Sequence, residues 1–384
     1  MKKVAITYPD FFPGEVEAIA KLLDGGEFWR LHIRKPGADE ASTRKLIESV
    51  DPKYYAKITL HDHFHLAAEY RLGGLHLNSR NPEPLEGWKG LVSRSIHSVE
   101  EIDGVTEDYA FLSPVYPSVS KPGYKGDFSL ENLEEHITER IFALGGVTPE
   151  RMPELERHGF AGVAMLGSIW RRSVDMDAFK LQFITHPSTA MTMGEEAEEV
   201  LRGGGRWIQL RHKDAPSATL IREGEEVGRL CREYGATFIV DDHVELAGRL
   251  NADGVHLGKN DMPVAEARRI LGPGKIIGAT ANEFADIERA WLDGADYIGL
   301  GPFRFTTTKE RLSPILGLEG YSRVVGQCRE AGITLPIVAI GGIAEDDIPS
   351  ILDAGPAGVA ISSTILGASS PQEKTAQILE IINR

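Results

Sequence analysis

Short apolar runs rich in β-branched residues alternate with longer amphipathic stretches along the whole chain. In the second half the apolar runs fall at 181–185, 207–210, 237–240, 254–257, 275–279, 297–300, 336–339 and 358–361, and helical periodicity fills intervals such as 194–201, 217–233 and 285–293. Continuously apolar strands are those covered on both faces, and helical crossovers between them make the sheet parallel. Eight such units predict a closed (β/α)8 barrel of the TIM type. The first half repeats the pattern, from 4–8 and 29–34 to 140–143 and 162–165. A doubly wound open sheet is the alternative, but no G-x-G-x-x-G follows the first strand.

The halves also match residue by residue. Leu60-His61-Asp62-His63-Phe64-His65-Leu66-Ala67 aligns with Val240-Asp241-Asp242-His243-Val244-Glu245-Leu246-Ala247, and Gly74-Leu75-His76-Leu77 with Gly254-Val255-His256-Leu257. Asp108-Tyr109 and Ser113-Pro114 then align with Asp296-Tyr297 and Gly301-Pro302, Ser118 to Lys121 with Thr306 to Lys309, and Ala143-Leu144-Gly145-Gly146 with Ala339-Ile340-Gly341-Gly342. Blocks matched in one order mean two copies of one domain. The expected fold is therefore α/β, two tandem (β/α)8 TIM barrels, with a junction within 175–179 that gives domains 1–178 and 179–384.

Length agrees: 384 residues at roughly 150 per domain allow two to three domains, and the repeat selects two. Asp plus Glu outnumber Lys plus Arg by 57 to 42, a net charge of −15 that disfavours nucleic-acid or anionic-membrane partners. Only Cys231 and Cys328 occur, without a CxxC, so neither a disulfide framework nor a cysteine-bound zinc is expected. The amino terminus turns polar too soon for a signal peptide, and no uncharged apolar run reaches spanning length. These features predict a cytoplasmic protein acting on small molecules; a homo-oligomer is compatible with them.

Catalytic groups of such barrels sit at the carboxyl ends of the strands. Gln209, Arg211 and Lys213 close the second strand of the second half with the alternation that puts all three on one side. Asp241 and Asp242 follow the third strand and Asp261 the fourth, hard oxygen donors suited to Mg²⁺ carrying a substrate phosphate. Thr306, Thr308 and Lys309 follow the sixth. Gly341-Gly342 and Ser362-Ser363 end the seventh and eighth, where bare backbone N–H groups commonly bind phosphate. The residues alone thus indicate a Mg²⁺ site for phosphorylated substrates without naming them. An unrelated phosphate-binding barrel isomerase would use the strand-seven glycines and leave the other motifs unexplained.

This ordered set resembles the thiamine phosphate synthase family over residues 180–384. The resemblance implies coupling of hydroxymethylpyrimidine diphosphate with a thiazole phosphate to give thiamine phosphate and pyrophosphate. It further implies that Asp242 and Asp261 hold Mg²⁺, that Arg211, Lys213 and Lys309 bind the diphosphate, and that Lys309 and Arg211 are catalytic. Gln209, His256 and Thr280 would surround the pyrimidine or pyrophosphate, with Asp241 also in the substrate site. Thr306, Thr308, Gly342, Ser362 and Ser363 would hold the thiazole phosphate. Asp241 stands where the family often has Asn, and Asn282 where it often has His.

In the first half Asp261 is matched by Asn81, Gln209 by His32 and Ser363 by Gly167, while Arg34, Lys121 and Gly145-Gly146 remain. That pattern favours binding of one phosphorylated ligand over coupling. The segment Ser93-Arg94-Ser95-Ile96-His97 resembles the thiazole tautomerase branch of the family, which implies a proton-shuttling role for His97. A purely ligand-binding or regulatory first barrel is the alternative. A metal site at His61, His63 and His65 is disfavoured, since descent from the Asp242 segment accounts for that stretch.

Overall fold

The apolar runs are strands, and each half of the chain closes its own barrel. The computed structural model describes all residues except 117–127, 129, 134, 188–189, 214 and 305–313. In the first barrel the strands are β1 (Lys2–Ile6), β2 (Arg30–Ile33), β3 (Ile58–Leu60), β4 (Gly74–Leu77), β5 (Leu91–Ile96), β6 (Tyr109–Leu112), β7 (Ile141–Leu144) and β8 (Gly162–Met165). In the second they are β9 (Leu181–Ile184), β10 (Trp207–Leu210), β11 (Thr237–Asp241), β12 (Gly254–Leu257), β13 (Ile276–Ala281), β14 (Tyr297–Leu300), β15 (Ile337–Ile340) and β16 (Gly358–Ile361). All neighbours are parallel, and each circle closes between its first and last strands, Val4 opposite Ala164 and Leu181 opposite Val359.

Strand alternation sorts side chains into two layers. Val4 and Ile6 of β1 join Tyr109, Phe111 and Phe142 inside the first barrel, whereas Ala5 between them joins the apolar layer beneath the helices. Inside the second barrel Trp207, Tyr297, Ile239 and Ile276 pack against Phe179. Phe179 ends the short helix Met176–Phe179. That helix therefore goes with the second barrel, and the chain divides into units Met1–Arg171 and Arg172–Arg384, a few residues ahead of the expected 178/179 junction.

The helices of the second unit start and stop where its sequence provides caps. Thr192 and Glu195 form a reciprocal capping box at the head of helix Met193–Arg202. Helix Ser217–Tyr234 ends at Gly235, whose φ of 63° suits glycine. The first barrel has a thinner sheath: no helix joins β4 to β5 or β5 to β6, where every residue is described. The β4–β5 connection carries Pro82 and Pro84, which break helical hydrogen bonding, and Gly87 and Gly90, which disfavour a helix through backbone entropy. Among the described residues no helix is long and apolar enough to cross a membrane.

Candidate active site

The carboxyl ends of the second barrel's strands enclose a cavity of about 830 Å³. Gln209, Arg211, Lys213, Asp241, Asp242, His256, Asp261, Thr280, Gly342, Ser362 and Ser363 all line it. Thr306, Thr308 and Lys309 lie outside the described residues. Asp241 is buried and serves its neighbours: its Oδ1 accepts from Gln209 Nε2 at 2.5 Å and its Oδ2 pairs with Arg211 Nε at 3.2 Å. Arg211 is also fixed through its backbone, whose N–H donates to Thr185 Oγ1 at 2.9 Å. A guanidinium has five N–H donors, more than one carboxylate takes up, so Arg211 has others to offer an anion.

Asp242 takes a left-handed turn, φ 63°, and its N–H donates to the His256 carbonyl at 2.8 Å. Its carboxyl is pushed up to about 8 by burial, then by the charge of Asp241 and by the facing Asp261, with Arg211 opposing. Asp261 Oδ2 accepts from Gly258 N–H at 2.6 Å, which aims it back at the loop. Carboxylates that must share a proton when alone are those a hard divalent cation would relieve, so this donor set fits Mg²⁺.

Deeper in, His256 is paired with the Tyr297 hydroxyl through Nδ1 and with Thr280 Oγ1 through Nε2, both at 3.0 Å. At the opposite rim Gly341 and Gly342 have φ of 100° and 66°. A side chain on Gly341 would meet Pro302 Cβ at 2.8 Å, so glycine is required there twice over. The Ser362 hydroxyl is buried with no hydrogen-bond partner among the described residues, a donor suited to a phosphate oxygen.

The first barrel keeps the frame and exchanges the chemistry. Gly145 and Gly146 have φ of 94° and 61° against Pro114, as Gly341 and Gly342 do against Pro302, and both prolines follow cis peptide bonds. Asp62, which aligns with Asp242, is clamped by Arg80, Nε to Oδ1 at 2.9 Å and Nη2 to Oδ2 at 3.0 Å, and Asn81 adds an amide contact at 3.3 Å. A guanidinium thus neutralises the carboxylate that Asp242 and Asp261 leave for a cation. Register also aligns His97 with Asn282, since Leu91 and Ile276 pair with Gly74 and Gly254. Both side chains bond the carbonyl before the cis-proline: Asn282 donates to Gly301, and His97 Nδ1 lies 2.7 Å from Ser113 O. A carbonyl only accepts, so Nδ1 carries the proton and Nε2 is the basic nitrogen of exposed His97.

Inside the first barrel His32, His61 and His76 occupy the positions of Gln209, Asp241 and His256. His32 Nδ1 is 3.0 Å from His61 Nε2, His61 stacks on His76 at 4.0 Å between centroids, and His32 Nε2 is 2.6 Å from the Tyr109 hydroxyl. Burial drives all three below the usual imidazole range, His76 to about 3. The other two histidines of the His61 run go elsewhere, His63 to the Ala38 carbonyl and His65 to Glu40. Repeat alignment contained this cluster, because each of its members sits opposite an inward-facing site residue. The Arg80 clamp had no such signal beyond its place beside Asn81, and Thr185 and Tyr297 had none.

Comparison with known proteins supports the repeat and gives it a family. The thiamine monophosphate synthase family matches residues 5–169 and again residues 181–365. A thiamine-phosphate synthase of Phocaeicola vulgatus is 56% identical over 202 residues, 53% of this chain and 97% of that protein. One of Bacteroides thetaiotaomicron is 53% identical over 201 residues, 52% of this chain and 96% of that protein. Both alignments are longer than the whole of the first unit. A thiamine phosphate pyrophosphorylase structure from Pyrococcus furiosus shares 35% identity with a TM-score of 0.49, covering 54% of this chain and 97% of that one. Through both of its barrels the chain belongs to the thiamine monophosphate synthase family, among the transferases of thiamine biosynthesis.

Proposed function

We propose that the second barrel couples hydroxymethylpyrimidine diphosphate to a thiazole phosphate, carboxylated or not, releasing pyrophosphate and thiamine phosphate. The observation that carries this reading is the pairing of Asp242 with Asp261 on one cavity with Arg211 and Lys213, whose far rim is Gly341-Gly342 and Ser362. Two anion-receiving ends on one cavity suit two phosphorylated substrates. Asp242 and Asp261 would hold Mg²⁺, which supplies charge neutralisation for the diphosphate. Arg211, aligned by Asp241 and Thr185, and Lys213 receive diphosphate oxygens. Lys309, assigned by resemblance, assists departure of pyrophosphate. The methylene–oxygen bond breaks as an aminopyrimidine-stabilised cation develops, and the thiazole nitrogen forms the new bond to that carbon. Gly342, Ser362, Ser363, Thr306 and Thr308 hold the thiazole phosphate so that the nitrogen faces the carbon, and positioning replaces a covalent enzyme intermediate.

The first barrel binds one thiazole phosphate and moves a proton on it. Support comes from His97, whose Nδ1 contact with Ser113 O leaves Nε2 to remove and return the proton of a thiazole carboxylate tautomerisation. The Arg80 clamp on Asp62 argues against a second coupling site there. Incubating the full chain with both coupling substrates and Mg²⁺ tests the main reading: thiamine phosphate and pyrophosphate should appear in equal amounts. No product at saturating substrate would overturn it.

A further inference from the structure

We propose that His32, His61 and His76 form a three-imidazole site inside the first barrel for a borderline divalent cation, Zn²⁺ or a transition ion of similar ligand preference. Neither the coupling reaction nor the proton shuttle uses these side chains. They stand on β2, at the end of β3 and on β4, adjacent strands whose inward positions converge at the carboxyl end of the barrel. In the second barrel the same positions carry an amide, a carboxylate that pairs with Arg211, and one imidazole. Replacing the first two by imidazoles removes hard oxygen donors and adds the nitrogen donors that Zn²⁺, Ni²⁺ and Cu²⁺ favour.

Geometry supports a shared ion. One ligand nitrogen from each ring can be chosen so that all three lie within 4.8 Å of one another. The His32 Nδ1 to His61 Nε2 separation of 3.0 Å falls within the roughly 2.9–3.4 Å between two nitrogens each about 2.0–2.1 Å from one metal. His76 Nε2 now meets Ser95 Oγ at 3.1 Å, its ring stacked on His61, and it would exchange that contact for the ion by turning its ring.

The outer hydrogen bonds are also those of a metal site. A ligating imidazole normally has its other nitrogen held by a polar neighbour, which fixes its orientation. His32 Nε2 is held by the Tyr109 hydroxyl at 2.6 Å, and His76 Nδ1 by Ser93 Oγ at 2.9 Å. Ser93 in turn donates to the Leu75 carbonyl at 3.3 Å. Three protein nitrogens leave a fourth position for water or an anionic oxygen.

Co²⁺ distinguishes this site from the carboxylates of the second barrel, because four- or five-coordinate Co²⁺ absorbs visible light far more strongly than octahedral Co²⁺ in an oxygen shell. Chelator-stripped full chain should take up one equivalent with intense visible bands that Zn²⁺ abolishes. The bands should survive Asp261→Asn. They should disappear in His32→Gln, which installs the side chain the second barrel accommodates at Gln209, and in His76→Gln. Tyr109→Phe should weaken Zn²⁺ binding by roughly tenfold to a hundredfold. A wild-type spectrum with weak octahedral bands alone, needing no variant to fold, would overturn the proposal. So would intense bands that persist in both histidine variants; either outcome leaves the histidines as a hydrogen-bonded packing cluster.

Discussion

At the mouth of the second barrel Asp242 faces Asp261, and at the same place in the first Asp62 faces Arg80 and Asn81. Around these opposite solutions the frame is the same. Asp108 and Asp296 both accept from a backbone N–H of the preceding strand at 2.8 Å. Ser168 and Thr364 both donate from their hydroxyls to the carbonyl of the residue after the glycine pair. The features held in common satisfy backbone groups at strand and loop ends or admit close backbone approach, which any barrel of this build needs. Those that differ at the strand ends are side chains on the inward or rim positions, and they change the site from two facing carboxylates to a carboxylate paired with a guanidinium. Two copies of one fold can thus carry different side-chain sites on a shared frame of strand ends.

That contrast can be broken first at His97, the proposed proton shuttle. His97→Ala should slow thiazole tautomer conversion by about a hundredfold to ten-thousandfold while coupling proceeds at the wild-type rate, read by following both products in one sample. Unchanged conversion would remove His97 from the chemistry and favour a ligand-binding first barrel. Next, Arg80→Ala with Asn81→Asp gives the first barrel the carboxylates of the second. Calorimetry should then show a second Mg²⁺ equivalent, weaker than the first by tenfold or so; stoichiometry fixed at one would mean that Arg80 is not what replaces the metal.

A pH series sharpens the second barrel. Asp242 keeps its proton up to about 8 in the metal-free fold, mainly through burial. An acid held more tightly in the folded chain costs stability as pH rises from the ordinary carboxylate range towards that value. Mg²⁺ must displace that proton, so its affinity should climb between pH 6 and 8, by at most about tenfold per unit, and level off above. A flat profile would show Asp242 already ionised. The smallest effect concerns Ser362, whose counterpart in the first barrel is Leu166: Ser362→Ala should raise KM for the thiazole phosphate about fivefold, with kcat little changed, the loss of one hydrogen bond of about 1 kcal/mol.

Much of this molecule was legible in its sequence, for physical reasons. Buried parallel strands leave unbroken apolar runs, so β10, β12, β14 and β16 begin and end where periodicity puts them. The duplication then did what a single barrel could not, by setting Asn81 against Asp261 and His32 against Gln209. The missing helix after β4 is marked by Pro82 and Pro84, where the halves differ rather than match. Arg80 and Tyr297 were invisible because side-chain reach across strands has no period along the chain. Along the sequence His61 groups with His63 and His65, yet its partners are the non-local His32 and His76.

The central claim is that coupling belongs to the second barrel alone and depends on the carboxylate that the first barrel lacks. Pyrophosphate release by the full chain carrying Asp261→Asn, with saturating substrates and Mg²⁺, tests it most directly. A fall of at least about a hundredfold from wild type is expected, with substrate-analogue binding retained. Release at the wild-type rate would contradict it.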